Sequence, residues 1–322
     1  TSLPALARAY QTQPTCMDKK VVATIGSFDG VHLGHQALFA QMKAYASSFP
    51  EAELLAITFD PYPADVLQRG GEPEHILPTT ERDQLLREQG LGIHLLHFTP
   101  ELAGKSAQAF MEEVLHHELG VTDLVLGYDN RFGHGAQLGL TDYQKLGVPL
   151  GITVLQAEPL IREQETFSST LIKGLIRSGS MQRVTEILSR PFCLFGSVVE
   201  GLHLGRKLGY PTANVALSDP RQIYPPHGVY AATLSLRGEA GFGERLEAML
   251  YIGQRPTIGG GLERTIEVHI LDFSADIYGR EVRVEVLAQL HPEHKFASTD
   301  ALREALQRYE GDTRSYFAEH PR

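Results

Sequence analysis

The chain has 322 residues, 42% of them hydrophobic, with a formal net charge of −10; that is enough for two domains with separate cores and too apolar for a disordered protein. The acidic balance argues against nonspecific nucleic-acid or anionic-membrane binding as the main task. The two cysteines, Cys16 and Cys193, lie too far apart in sequence to imply a disulfide framework or structural zinc site, and no run reaches the ~18 apolar residues of a membrane span.

Val21–Ile25 is a continuous apolar run ending at Gly26, the pattern of a buried parallel strand. His35–Ser47 has helix composition. Leu54–Phe59 reads as a second strand, ended by Pro61 and Pro63. Thr79 and Thr80 precede a polar helix with Glu81 and Asp83 in its first turn. Ile93–Phe98 is a third strand, Ser106–His117 a helix closed at Gly120, Asp123–Leu126 a fourth strand and Ile152–Leu155 a fifth. This rhythm predicts an α/β doubly wound, Rossmann-like domain over residues 1–186. The helical stretches Thr170–Arg177 and Met181–Leu188 lead to the boundary. From Leu194 the period changes. Leu194–Val199, Val229–Leu236, Glu247–Ile252, Thr265–Phe273 and Val282–Leu290 are β-type runs separated by Gly and Pro turns. They predict an antiparallel barrel over residues 187–322. Ser298–Phe317 closes the chain as an amphipathic helix, with Ser298 or Thr299 as N-cap.

The most informative segment is Gly26-Ser-Phe-Asp-Gly-Val-His-Leu-Gly-His35. It follows a buried strand and opens a helix, where open α/β sheets bind ligands. Gly26 and Gly30 let backbone approach phosphate; Gly34 and His35 offer helix-start N–H groups. His32 and His35 can hold the oxygens of a phosphate as charge builds during attack. The plainer alternative is a pair of surface histidines at a helix start. The segment resembles the signature of the adenylyltransferase half of bacterial riboflavin kinase/FAD synthetases, within the H-x-G-H nucleotidyltransferases. Thr58-Phe-Asp-Pro-Tyr-Pro63, Gly127-Tyr-Asp-Asn-Arg-Phe-Gly133 and Ser168-Ser-Thr-Leu-Ile-Lys173 resemble three further family motifs. The resemblance implies nucleotide or phosphate contacts from Gly26, Phe28, Asp29, Gly34, Asp129, Ser168, Ser169, Thr170 and Lys173. It implies a flavin wall from Phe59, Pro61 and Pro63. Helix capping by Ser168–Thr170, turn chemistry at Asp129 and strand-end packing at Phe59 and Pro63 are the structural alternatives. One segment departs from the family. Basic residues usually follow Gly133, whereas here the run is His134-Gly-Ala-Gln-Leu-Gly139.

No G-x-x-x-x-G-K-[ST] occurs, so a P-loop kinase is excluded. The second half instead carries Gly196-Ser-Val-Val-Glu-Gly201 and Gly205-Arg-Lys-Leu-Gly-Tyr-Pro-Thr-Ala-Asn214, then Glu267-Val-His-Ile-Leu-Asp-Phe273. These resemble the flavokinase signature. Thr212 and Asn214 share a strand face and supply neutral oxygens, which suits a magnesium ion shared with ATP. Gly201 and Gly205 bring backbone N–H groups to phosphate, and Arg206 is a phosphate contact. Glu267 corresponds to the family's catalytic base, taking the proton of the ribityl alcohol. Phe296 is expected near the flavin, or as a staple of the last helix. Tyr251 stands where the family has Asn.

The resemblance implies an H-x-G-H nucleotidyltransferase domain followed by a Greek-key β-barrel riboflavin kinase domain with a C-terminal helix. It implies ATP + riboflavin to FMN + ADP, then ATP + FMN to FAD + pyrophosphate, with Mg2+. Expected partners are small molecules, with no nucleic acid, no membrane and at most a weak homo-oligomer. Two thiols and no secretory signal point to the cytoplasm. Alternatives are a riboflavin kinase that has lost adenylylation, a non-catalytic flavin-binding protein, and an adenylyltransferase for another phosphate.

Overall fold

The computed structural model describes residues 19–67, 73–135, 137–162, 165–201, 209–256 and 262–321. Gly205, Arg206, Cys16 and the glycine run Gly259–Gly261 lie outside the described residues. Backbone contacts divide the chain into two compact units, one built on residues up to Pro73 and Thr79–Ser168, the other on Glu74–Pro78 and Ser169 onward.

The first unit is a parallel sheet. Strands β1 (Val21–Ile25), β2 (Glu53–Asp60), β3 (Gly92–His97), β4 (Asp123–Leu126) and β5 (Thr153–Gln156) lie in the order β3-β2-β1-β4-β5. Helices α1 (Leu33–Ala46), α2 (Thr79–Glu88), α3 (Ala107–Phe110, continued by π-helical turns over Met111–Glu118) and α4 (Leu140–Gly147) connect them. Both sheet faces are buried. Ala23, Ile25, Ile57 and Leu126 point into one apolar cluster, Val22, Ala56 and Val125 into the other. This is why the strands read as unbroken apolar runs rather than alternating ones. Strand order reverses between β1 and β4, so the crevice beyond their carboxyl ends has no crossover helix covering it. The loops Gly26–His32 and Gly127–Phe132 leave the sheet there.

The second unit opens with α5 (Ser169–Arg177) and α6 (Met181–Leu188), and α6 packs on strands of the barrel. Strands β6 (Phe192–Val199), β7 (Ala213–Leu217), β8 (Gly228–Gly238), β9 (Leu246–Pro256), β10 (Leu262–Ile270) and β11 (Glu281–Pro292) follow. All pair antiparallel in the order β8-β9-β10-β7-β6-β11, and β11 returns to β8. Six strands thereby close a barrel, which removes exposed sheet edges. Register shifts at Val229/Tyr230 and Ala231/Ala232 mark irregular positions where β8 bends against β11. Strand β10 stops at Ile270, short of the expected Phe273. The chain turns at Asp272, which has φ +53 and a two-pronged ion pair to Arg314 at 2.8 and 2.9 Å. Helix α7 (Thr299–Glu319) is capped by the Ser298 hydroxyl, which accepts from Ala301 N at 3.2 Å.

Candidate functional site

In the first unit the loop after β1 is strained in a way that serves a purpose. Phe28 (φ +48), Gly30 (φ +86) and Val31 (φ +41) all lie in the left-handed region. Two of them are not glycine, an arrangement that persists only when the surroundings enforce it. Phe28 supplies part of that enforcement. Its buried ring meets His35 at 5.3 Å and Phe39 at 5.4 Å, both edge-on. His32 is the N-cap residue of α1, and its ring stacks on His35 with centroids 3.7 Å apart. The two imidazoles therefore stand as a pair at the start of the helix that follows β1, with His32 buried. Gly34 lies close behind them. A β-carbon there would come within 3.0 Å of the Phe167 carbonyl and 3.1 Å of the His32 ring. Phe167 leads to Ser168, and α5 begins at the next residue. Ser169, Thr170 and Lys173 occupy its first turns, in the second unit.

A cavity of about 470 Å³ lies alongside. Gly26 and Ser27 form one part of its wall, Phe59, Pro63, Phe98, Phe110 and Phe132 supply apolar surface, and Lys105 and Arg131 supply charge. Its size and the four phenylalanines in its wall suit a flat heteroaromatic ligand. Of the expected flavin wall, Phe59 and Pro63 line the cavity, whereas Pro61 follows the cis peptide after Asp60 and does not. Asp129 sits exposed on the tip of a turn closed by Asn130 N to the Gly127 carbonyl at 3.2 Å. Asn130 donates its side-chain amide to the Ile25 carbonyl, tying the β4 loop to the end of β1.

In the second unit, Thr212, Asn214 and Glu267 come together. The Thr212 hydroxyl donates to Glu267 Oε2 at 3.1 Å, and Asn214 pairs directly across from Glu267. Gly201 packs so closely that a β-carbon would overlap the Asn214 amide. The His269 ring donates from Nδ1 to the Pro211 carbonyl at 2.8 Å, fixing the approach to Thr212. Among the described residues no group of three or more His, Cys, Asp or Glu could hold a metal ion. A hydroxyl, an amide and one carboxylate fit magnesium that arrives on phosphates and keeps several waters. A cavity of about 480 Å³ opens beside Thr212, lined also by Val268, Phe273, Asp276 and Tyr278. Asp276, Ile277 and Tyr278 thus form part of its wall.

On the other side of Glu267, Tyr251 is its cross-strand neighbour in β9. The Tyr251 hydroxyl donates to Glu293 at 3.2 Å; burial, then Glu293 and Glu267, push its pKa up to about 12. Phe296, like Tyr251 and Leu306, packs against the buried cluster of Val229, Met249, Ala305 and Tyr309, the last two from α7, so it staples that helix.

Two residues here carried no sequence signal. Arg82 looks like a surface residue of a polar helix, yet it is fully buried. It donates to the Phe59 carbonyl at 2.9 Å and the Ser27 carbonyl at 3.4 Å, pairs with Asp83 at 2.8 Å, and lies over the Tyr62 ring. One guanidinium thus spans the β1 loop and the end of β2. Tyr62 is pushed well above its ordinary pKa by burial and by Asp29, against the opposing pull of Arg82. Lys105 is the second; only the folded cavity wall shows its position.

A riboflavin kinase family model matches residues 188–317, and a FAD synthetase model matches 15–171. The chain is 33% identical over 300 residues to a bifunctional riboflavin kinase/FMN adenylyltransferase of Escherichia coli (strain K12), covering 92% of each. It is 30% identical over 307 residues to the protein of the same description from Bacillus subtilis (strain 168), covering 93% of each. A crystal structure described as a macrolide-efflux protein from Streptococcus pneumoniae superposes with a TM-score of 0.80 at 31% identity, covering 93% of this chain and 95% of that one. Among the described residues no helix is long and apolar enough to cross a membrane.

Proposed function

Because the chain belongs to the bifunctional riboflavin kinase/FMN adenylyltransferase family, we propose that its two reactions run at the two separate sites described above. The chain phosphorylates riboflavin to FMN with ATP, and adenylylates FMN to FAD with a second ATP. The grouping of Thr212, Asn214 and Glu267 carries the assignment of the kinase step to the barrel. There Glu267 takes the proton of the ribityl primary alcohol as its oxygen attacks the γ-phosphorus. The bond from that phosphorus to the β-bridging oxygen breaks, and ADP leaves. Thr212 and Asn214 would hold magnesium, whose charge offsets that of the phosphates. The cavity beside Thr212 takes the nucleotide base.

In the first unit a phosphate oxygen of FMN attacks the α-phosphorus of ATP in line, and pyrophosphate leaves. His32 and His35 donate to the phosphate oxygens as charge shifts toward the leaving group. No covalent intermediate is needed. Phe59, Phe98 and Pro63 enclose the flavin ring. Ser168, at the end of this unit, contacts the triphosphate, and the motif it opens continues in Ser169, Thr170 and Lys173. We place the domain boundary near residue 186, just before the riboflavin kinase match begins at 188, with α5 and α6 as connector. The net charge of −10 supports small-molecule rather than nucleic-acid partners, and the two widely spaced cysteines support a reducing cytoplasm.

Two variants test the division. Glu267→Gln should lower riboflavin phosphorylation by roughly 10²–10⁴-fold and spare FMN adenylylation. Replacing both His32 and His35 by Asn should stop FAD formation while FMN accumulates. Unchanged kinase activity in the first variant, or normal FAD output from the second, refutes the corresponding assignment.

A further inference from the structure

The flavin cavity must hold more than a ring. FMN carries a phosphate dianion, and a dianion leaving water needs a cation or several N–H donors. The stretch after Gly133 provides neither lysine nor arginine: it reads His134, Gly135, Ala136, Gln137, Leu138, Gly139. Two side chains of permanent positive charge line the cavity, Arg131 and Lys105. Arg131 Nη1 donates to the Leu138 carbonyl at 2.6 Å, which anchors the guanidinium on its own loop while leaving its charge and its other N–H donors. Lys105 differs. Its ammonium is paired with Glu113, one exposed carboxylate on α3. An exposed pair of this kind is weak and exchanges readily for a better anion.

The backbone around Lys105 is built to present it. His134 N donates to the Lys105 carbonyl at 2.7 Å, which fastens the Arg131–Gly135 loop two residues ahead of α3. Gly133, at φ +84, lets that loop press against α3. A β-carbon there would stand 2.5 Å from Ala107 N. The loop that lacks its own cations is thus clasped to a segment that has one.

We propose that Lys105 is the cation that recognises the phosphate of FMN in the adenylylation site, leaving Glu113 for the dianion when flavin enters. The inference rests on the flavin reading of this cavity. It makes Lys105 the residue that separates FMN from flavins without a phosphate, and it accounts for how adenylylation proceeds with an uncharged 134–139 stretch.

The test follows FAD formation by the full chain from FMN and ATP, with lumiflavin as competing ligand. Lumiflavin has the ring, no phosphate and no ribityl chain, so the kinase site cannot convert it. Lys105→Met should raise KM for FMN on the order of tenfold, the loss of one charge-assisted contact. It should leave the inhibition constant of lumiflavin within about twofold. Lys105→Arg, which keeps the charge, should recover most of the FMN affinity. Riboflavin phosphorylation by the same Lys105→Met protein should match the wild type and so report an intact fold. An unchanged KM for FMN overturns the proposal. So does an equal loss for lumiflavin and FMN, which would make Lys105 part of the ring pocket. If lumiflavin fails to compete with FMN in the wild-type chain, the flavin reading of the cavity itself falls, and that result is read before any variant.

Discussion

Single residues show how close approach, more than charge, shapes these sites. Gly201 is the sharpest case. Its Cα lies against the Asn214 amide with no room for a side chain. Gly201→Ala should therefore displace Asn214 and reduce riboflavin phosphorylation on the order of tenfold or more. FMN adenylylation serves as the unaffected control, and steady-state assays of both activities on one preparation check this. Cys193 illustrates burial without function. Its thiol is buried, and desolvation first, then Glu285, pushes its pKa up to about 12. It carries essentially no thiolate at neutral pH. Alkylation at pH 8 followed by peptide mapping should find the Cys193 peptide unmodified in the native chain and labelled after denaturation. Residue-level motifs were legible in the sequence because they sit in unbroken stretches. Gly26–His35 and Thr212–Asn214 are two of these. Arg82 and Lys105 were not legible, since each acts through neighbours that are distant in sequence. A polar helix gives no hint that one of its arginines turns inward onto two carbonyls.

At the scale of elements, Arg82 links helix α2 to the end of β2. Removing its guanidinium strands the Phe59 carbonyl and leaves Asp83 without its partner. Arg82→Met should cost about 3 kcal/mol or more, the usual result of breaking a buried pair from one side. Urea denaturation of the first unit, followed by the FMN-dependent activity, reads it. In the barrel, Tyr251 couples β9 to Glu293 in the segment after β11. Its ordinary pKa is 10.0 and its folded value about 12. Between those pH values the unfolded chain releases a proton that the native chain keeps. Stability from this group is full below pH 10 and falls as pH rises toward 12. Tyr251→Phe should make that alkaline loss shallower, measured as the urea midpoint at pH 9 and pH 11. The strands were legible as elements because burial on both sheet faces, or closure into a barrel, leaves a plain apolar record. Helix α4 was not, because Leu140–Gly147 mixes polar and apolar residues over only two turns. The π-helical half of α3 was not, because its residues Met111–Glu118 show ordinary helical composition. The early stop of β10 falls at a turn through Asp272, whose Arg314 partner lies on a helix far along the chain and leaves no local mark in the sequence.

For the whole molecule, the proposed function gives one polypeptide two ways of gripping ATP. One is a helix start with paired imidazoles at the switch point of a parallel sheet. The other is a barrel strand with neutral oxygens opposite a carboxylate. Neither uses a P-loop. The order of the two units was legible from the order of the motifs, and the identity of both reactions from the family resemblance those motifs carry. The two cavities were not, because the wall of the first is assembled from five separate stretches between Ile25 and Gly135. The most direct measurement is a time course with the purified chain, riboflavin, ATP and magnesium, resolving flavins by chromatography. Two sites in series predict that FMN rises first, passes through a maximum, and gives way to FAD as pyrophosphate appears. A course that halts at FMN, with added FMN never converted to FAD, contradicts the account.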